Sequence, residues 1–227
     1  GSFNIHIFTA MKNLFLILFF TASFQAFSQV TEGYFQYSID LKPLDTSTET
    51  LQKVDMLMGS KMEIYFANNL SRVDFQMGSM YNTSIRVDRN NQKAISLSTS
   101  EAGKFGAELP MDELNANVPK LDPNAVIETF NDEKTILGFK CKKVILTQNG
   151  AKTTYWVTNE IDIAVQDFSV LNPNVPGFPL EFSSTSKGMS MRFTASNHKL
   201  SLKNTLETFS TSIPEDYLLT PQKPTQR

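Results

Sequence analysis

From Phe35 to Leu41 the chain alternates strictly: Phe35, Tyr37, Ile39 and Leu41 are apolar, and Gln36, Ser38 and Asp40 between them are polar. A period of two puts all four apolar side chains on one face of an extended strand, whereas a helix would scatter them round its axis. The pattern recurs. Met62, Ile64 and Phe66 alternate with Lys61, Glu63 and Tyr65. After Asn68-Asn69, Val73, Phe75 and Met77 alternate with Arg72, Asp74 and Gln76, and Gly78-Ser79 punctuates the run. Tyr81 to Val87 and Lys93 to Ser98 flank a turn at Asp88-Arg89-Asn90-Asn91. Strands resume at Ala125 to Phe130 and at Leu137 to Leu146. Asn149-Gly150 then leads to Lys152 to Val157, and such a pair favours the tight hairpin turn that needs positive φ at both central residues. Leu180 to Ser183 and Met189 to Ala195 flank Lys187-Gly188, and Lys199 to Phe209 reads as a last long strand. About ten short antiparallel strands, with turns every 8 to 12 residues or so, predict a mainly β fold: a curved sheet, a barrel or a sandwich.

Helical signals are few. Thr46-x-x-Glu49 has the form of a capping box, and Leu51, Val54, Leu57 and Met58 follow at helical spacing until Gly59. Met111 to Val118 suggests a second short helix, and Glu160 to Phe168 could hold one helical turn. Between Ser100 and Pro123 the alternation is otherwise lost, which predicts a long loop able to act as a lid. Asn172 to Pro179 carries three prolines and reads as a rigid loop, and residues 220–227 read as a tail.

The start of the chain carries an address. Met11-Lys12 is followed by the apolar run Leu14 to Phe20 and then by small residues ending in Ala26-Phe27-Ser28, the order of a secretory signal peptide over residues 11–28. Cleavage is expected between Ser28 and Gln29, with residues 1–10 set aside as upstream of Met11. The apolar run is shorter than the roughly 20 residues a membrane span needs. The expectation is a periplasmic or secreted β-rich domain over residues 29–219, with no transmembrane segment in the mature protein.

Composition excludes several chemistries. A formal net charge of −2 without a basic patch argues against nucleic acid. The single cysteine, Cys141, cannot form an internal disulfide. Of two histidines, His6 precedes the signal, so only His198 remains, too few for a zinc site or a nucleophile–His–acid arrangement. His198 reads as a surface residue beside a turn. Cys141, beside Lys140, Lys142 and Lys143, is either an activated thiol or a small residue facing inward with Phe139 and Ile145. Asp112-Glu113, Asp132-Glu133 and Glu160 with Asp162 are carboxylate pairs in loop-like contexts that could in principle do acid–base work. No metal or cofactor is expected, and no enzyme.

Ile136-Leu137-Gly138-Phe139-Lys140-Cys141-Lys142, followed by Tyr155-Trp156-Val157-Thr158, resembles the pattern of a family of exported Gram-negative proteins described as a domain of unknown function. Gly177-Phe178-Pro179-Leu180 fits its Gly-x-Pro-Leu step, and Ile213-Pro214-Glu215-Asp216-Tyr217 is similar to its closing Ile-Pro-x-Gly-Tyr, with Asp216 in place of Gly. The resemblance extends over about residues 33–219 and implies a fold like the LolA lipoprotein carriers: an incomplete antiparallel half-barrel with two or three short helices on its concave side. It brings no catalytic residues. With Met62, Ile64, Phe66, Phe75, Met77, Met189, Met191 and Phe193 along the apolar faces, it leads to the expectation of a non-enzymatic periplasmic binding or carrier protein. The ligand would be lipophilic, an acyl chain, lipid or lipoprotein tail, lined by those eight residues. Flexible, polarisable methionines among aromatics suit such a ligand and also suit an ordinary core. An envelope protein-interaction module with a filled core, and a carboxylate-based hydrolase, are the alternatives.

Overall fold

The computed structural model describes residues 30–116, 118–163, 169–186 and 188–220. The expected signal peptide, its Ser28/Gln29 cleavage point and the residues after 220 lie outside them. Twelve strands form one open sheet: β1 (Glu32–Pro43), β2 (Lys61–Ala67), β3 (Leu70–Met77), β4 (Tyr81–Asp88), β5 (Lys93–Ser100), β6 (Gly103–Glu108), β7 (Val126–Ile136), β8 (Phe139–Gln148), β9 (Ala151–Thr158), β10 (Phe178–Ser186), β11 (Met189–Lys199) and β12 (Leu218–Leu219). The order across the sheet is β12-β6-β5-β4-β3-β2-β1-β11-β10-β9-β8-β7. All neighbours are antiparallel except the short β12–β6 pair. The sequence-derived mainly β class holds, with twelve strands where about ten were expected. Among the described residues three short helices accompany them: α1 (Thr48–Met56), α2 (Met111–Ala116) and α3 (Thr205–Thr208).

The sheet curls. Strands β1 and β8 are four places apart, which in a flat sheet is roughly 19 Å at about 4.8 Å per strand. Yet the rings of Phe35 in β1 and Phe139 in β8 have centroids 5.8 Å apart. The face carrying Phe35, Tyr37, Met62, Ile64, Phe182 and Phe193 is therefore concave, and these side chains form the main core. The segment between β9 and β10 fills the hollow with Ile161, Leu171 and Val175, all buried. Leu171 belongs to a 3-10 turn, Ser169–Leu171, and is the helical piece on the concave side. Val30 ties the start of β1 to this plug: its amide donates to the Glu160 carbonyl at 3.0 Å, and its carbonyl accepts from the Asp162 amide at 3.0 Å.

On the opposite face, residues 200–220 run as a strap. Leu202 N–H donates to the Glu32 carboxylate at 2.7 Å, and α3 follows. Phe209 is buried, and the chain ends as β12 beside β6.

Four expectations are corrected. Lys199 to Phe209 is not a strand: β11 ends at Lys199, and of the leucines that mimicked alternation Leu200 and Leu206 lie exposed in the strap, Leu206 at 91%, with Leu202 half-buried. The Ser100–Pro123 stretch is not a lid-like loop but contains β6, its glycine and lysine hiding the strand, with α2 following. Leu137 does not begin a strand: Leu137 and Gly138, at φ +53° and +89°, form a two-residue hairpin turn, and β7 runs through the polar Asn131–Lys134 to reach it. The N-cap of α1 is Ser47, whose hydroxyl accepts from Thr50 N–H at 3.2 Å, not Thr46. The Asn149-Gly150 turn forms as expected, at φ +52° and +75°.

Candidate functional site

The eight apolar residues singled out from sequence fall into two groups. Met62, Ile64, Phe66 and Phe193 are buried in the main core, Phe75 and Met191 pack against it, and Met189 is buried near the β10–β11 turn. Met77 stands apart, exposed at the end of β3. Ring packing covers much of the concave surface: Phe193 stacks on Phe182 at 4.7 Å, and Phe35 contacts Phe66, Phe139 and Phe178 at 5.2–6.2 Å. Apolar area that a ligand would have covered is already covered by the chain itself.

An open site lined by both apolar and polar side chains lies at one end of the sheet instead. β2 begins at Lys61, opposite Ser38, so the last residues of β1 extend past it. α1 sits beside this overhang. Between them is a cleft of about 500 Å³, lined by Val54 and Met58, by Ile39 to Lys42 of β1, and by Ser183, Ser190 and Arg192, with Asp40 opposite Arg192 and Lys42 opposite Ser190 in the strand register. The helix is held there by Ser60, whose hydroxyl donates to the Leu57 carbonyl at 2.6 Å and accepts from Gly78 N–H at 3.0 Å. Gly78 lies so close to α1 that a Cβ on it would sit 2.2 Å from the Met56 carbonyl oxygen. The β3–β4 turn and α1 thus share one end of the molecule, where Met56, Met58, Met77, Met80 and Tyr81 are all exposed, Met58 at 65%. The sequence showed the apolar spacing of α1 but not its neighbour, because the contact depends on where β2 starts relative to β1.

The reactive candidates are engaged. Cys141 faces inward with Phe139, and burial pushes its thiol up to about 11. Ile145 does not share that face; the alternation shifts between Cys141 and Val144, opposite a bulge in β7 between Thr129 and Glu133. His198 is not a plain surface residue: it is half-buried, stacked on Phe35 at 5.6 Å and edge-on to Phe139 at 5.3 Å. Asp132 and Glu133 lie within β7 rather than in a loop, and Asp112 and Glu113 are in the first turn of α2. Glu133 and Glu160, from two different sequence pairs, line one hollow of about 270 Å³ together with Lys140 and Lys142. The Glu160 carboxylate there accepts from the Lys140 backbone N–H at 2.9 Å. Among the described residues no group of three or more His, Cys, Asp or Glu side chains could hold a metal ion, and no helix is long and apolar enough to cross a membrane.

The fold and its sites define a curved, open antiparallel sheet with a filled concave side and a cleft of mixed polarity at one end. The chain belongs to the family of the domain of unknown function DUF4412, whose model matches residues 50–199. No curated protein matches it. Solved structures with a similar chain course include PNGF-II in two crystal forms, at 12% and 11% identity, a TM-score of 0.44 each, and 85% and 83% of this chain covered. This chain spans 31% of the PNGF-II chain. Another is the LolA superfamily protein NE2245 from Nitrosomonas europaea, at 9% identity and a TM-score of 0.23, with 80% of this chain and 90% of that one covered.

Proposed function

We propose that this protein is a non-enzymatic binding protein of the periplasm that takes the apolar part of a lipophilic ligand in the cleft between α1 and the overhang of β1. The exposed methionines at this end carry this reading: Met58 lines the cleft together with Val54, Ile39 and Leu41, and Met56, Met77 and Met80 are exposed at the same end. Its volume of about 500 Å³ is in the range of small-molecule sites. Apolar burial, at about 25 cal/mol per Å², supplies the driving force. Asp40, Lys42 and Arg192 in the lining suit a polar head group. Seven of the eight residues picked from sequence are buried or packed against the core, and Met77 is exposed without lining the cleft.

The filled concave core favours a second reading, in which the same apolar end docks an envelope protein. Solvent extraction of protein purified from its native periplasm, followed by mass spectrometry, separates the two. Stoichiometric lipid supports the carrier; repeated preparations free of lipid support the docking module.

A further inference from the structure

On the strap side of the sheet lies a further hollow of about 260 Å³ that shares no lining residue with the end cleft. Its floor is built by the polar phase of four strands. Glu63, Asp74, Ser84 and Leu97 lie side by side across β2 to β5, and Arg72 pairs with Arg86 across β3 and β4. Tyr217 of the strap forms the far wall, with its hydroxyl 3.4 Å from that of Thr99.

The charges of this hollow do not cancel. Arg72 is held bidentate by Asp74, with its shortest contact at 2.6 Å. Glu63 is matched by Lys61 at 3.8 Å and accepts from the hydroxyls of Tyr34 and Tyr65 at 3.0 and 3.1 Å. Arg86 is left over. Its guanidinium is half-buried, and its hydrogen bonds go to neutral groups, the Ser84 hydroxyl at 3.4 Å and the Ser210 carbonyl at 3.1 Å. Burial, and then the neighbouring Arg72, push its pKa down, as expected of a cation short of a counter-charge. A guanidinium presents a planar fork that fits a carboxylate with two parallel bonds. Around it, Asn82, Thr83, Ser84, Thr99 and Tyr217 offer amide and hydroxyl groups.

We propose that this hollow is a binding site for a small hydroxylated carboxylate, a sugar acid or hydroxy acid, whose carboxylate pairs with Arg86 and whose hydroxyls bond the Asn82, Thr99 and Tyr217 rim. The site is separate from the end cleft and does not depend on the reading given to it.

Isothermal titration of the protein with glucuronate, glucose and inorganic phosphate tests the assignment. Glucuronate binds one to one, and glucose and phosphate bind at least about tenfold more weakly, a difference of about 1.4 kcal/mol. Arg86→Gln weakens glucuronate by about tenfold or more, the loss expected for a charged hydrogen bond. Because Arg86 also holds the strap, Asn82→Ala serves as the second variant: it leaves the strap contacts intact and weakens glucuronate several-fold. No binding of glucuronate at millimolar concentration overturns the proposal. So does glucose or phosphate binding as tightly as glucuronate, or unchanged affinity in folded Arg86→Gln or in Asn82→Ala.

Discussion

Tyr37 donates its phenolic hydrogen to the carbonyl of Pro179 at 2.8 Å, in a fully buried contact between residues 142 positions apart. The bond fixes the start of β10, and with it the end of the plugging segment, against the centre of β1. Its removal in Tyr37→Phe leaves the ring in place and a carbonyl without this donor. Unfolding in urea is expected to show a loss of about 1–3 kcal/mol, with m unchanged. Full stability in this variant would mean that the plug is held by packing alone.

Gly78 is the point where the β3–β4 turn meets α1. Its φ is +56°, and a Cβ would reach 2.2 Å from the Met56 carbonyl oxygen. Gly78→Ala meets both the left-handed penalty of about 1–2 kcal/mol and a backbone collision. The variant is expected to melt at lower temperature and to expose the α1 region to limited proteolysis before the rest of the sheet. Uniform protease resistance would contradict the coupling of helix and turn.

Cys141 is a pH-dependent element of stability. The native thiol is pushed up by burial from its ordinary 9.0 to about 11. An acid whose native pKa is raised favours the folded state only while it stays protonated, so its contribution is whole below about pH 9 and is lost as pH rises toward 11. Cys141→Ala should therefore flatten the fall in stability across that interval. Thiol reagents at neutral pH should label the wild type only on unfolding; rapid labelling of the native protein would contradict the burial.

Met58 is 65% exposed, so Met58→Glu should leave the melting temperature nearly unchanged. A charge in the cleft should nonetheless lower affinity for a fatty-acid probe by tenfold or more, measured by fluorescence displacement. Unchanged affinity would place the ligand elsewhere.

Sequence alone reached the strands whose alternation is unbroken, such as β1 and β2, where one face is buried and the other wet. It lost β7 at Asn131–Lys134, because a bulged edge strand buries little on either face and reads as a turn. It took Leu137-Gly138 into a strand, since a leucine at positive φ has no local signature. It also carried a strand past Lys199, since Leu200, Leu202 and Leu206 imitate alternation while buried Phe209 belongs to the strap. The two sites were legible only in part. The apolar spacing of α1 was visible, but the cleft arises from the offset between the ends of β1 and β2, and the position of Arg86 beneath the strap is a contact over 124 residues. Neither has a short-range pattern.

The proposed place for a lipophilic ligand is the end cleft, because buried side chains fill the concave face. A fatty acid carrying a photoreactive diazirine, irradiated with the protein and mapped by peptide mass spectrometry, reads this directly. Labels on the peptides holding Ile39–Leu41 and Val54–Met58 are the expected result. Labels concentrated on Met62–Phe66 or on Phe193 would contradict it and return the ligand to the concave face.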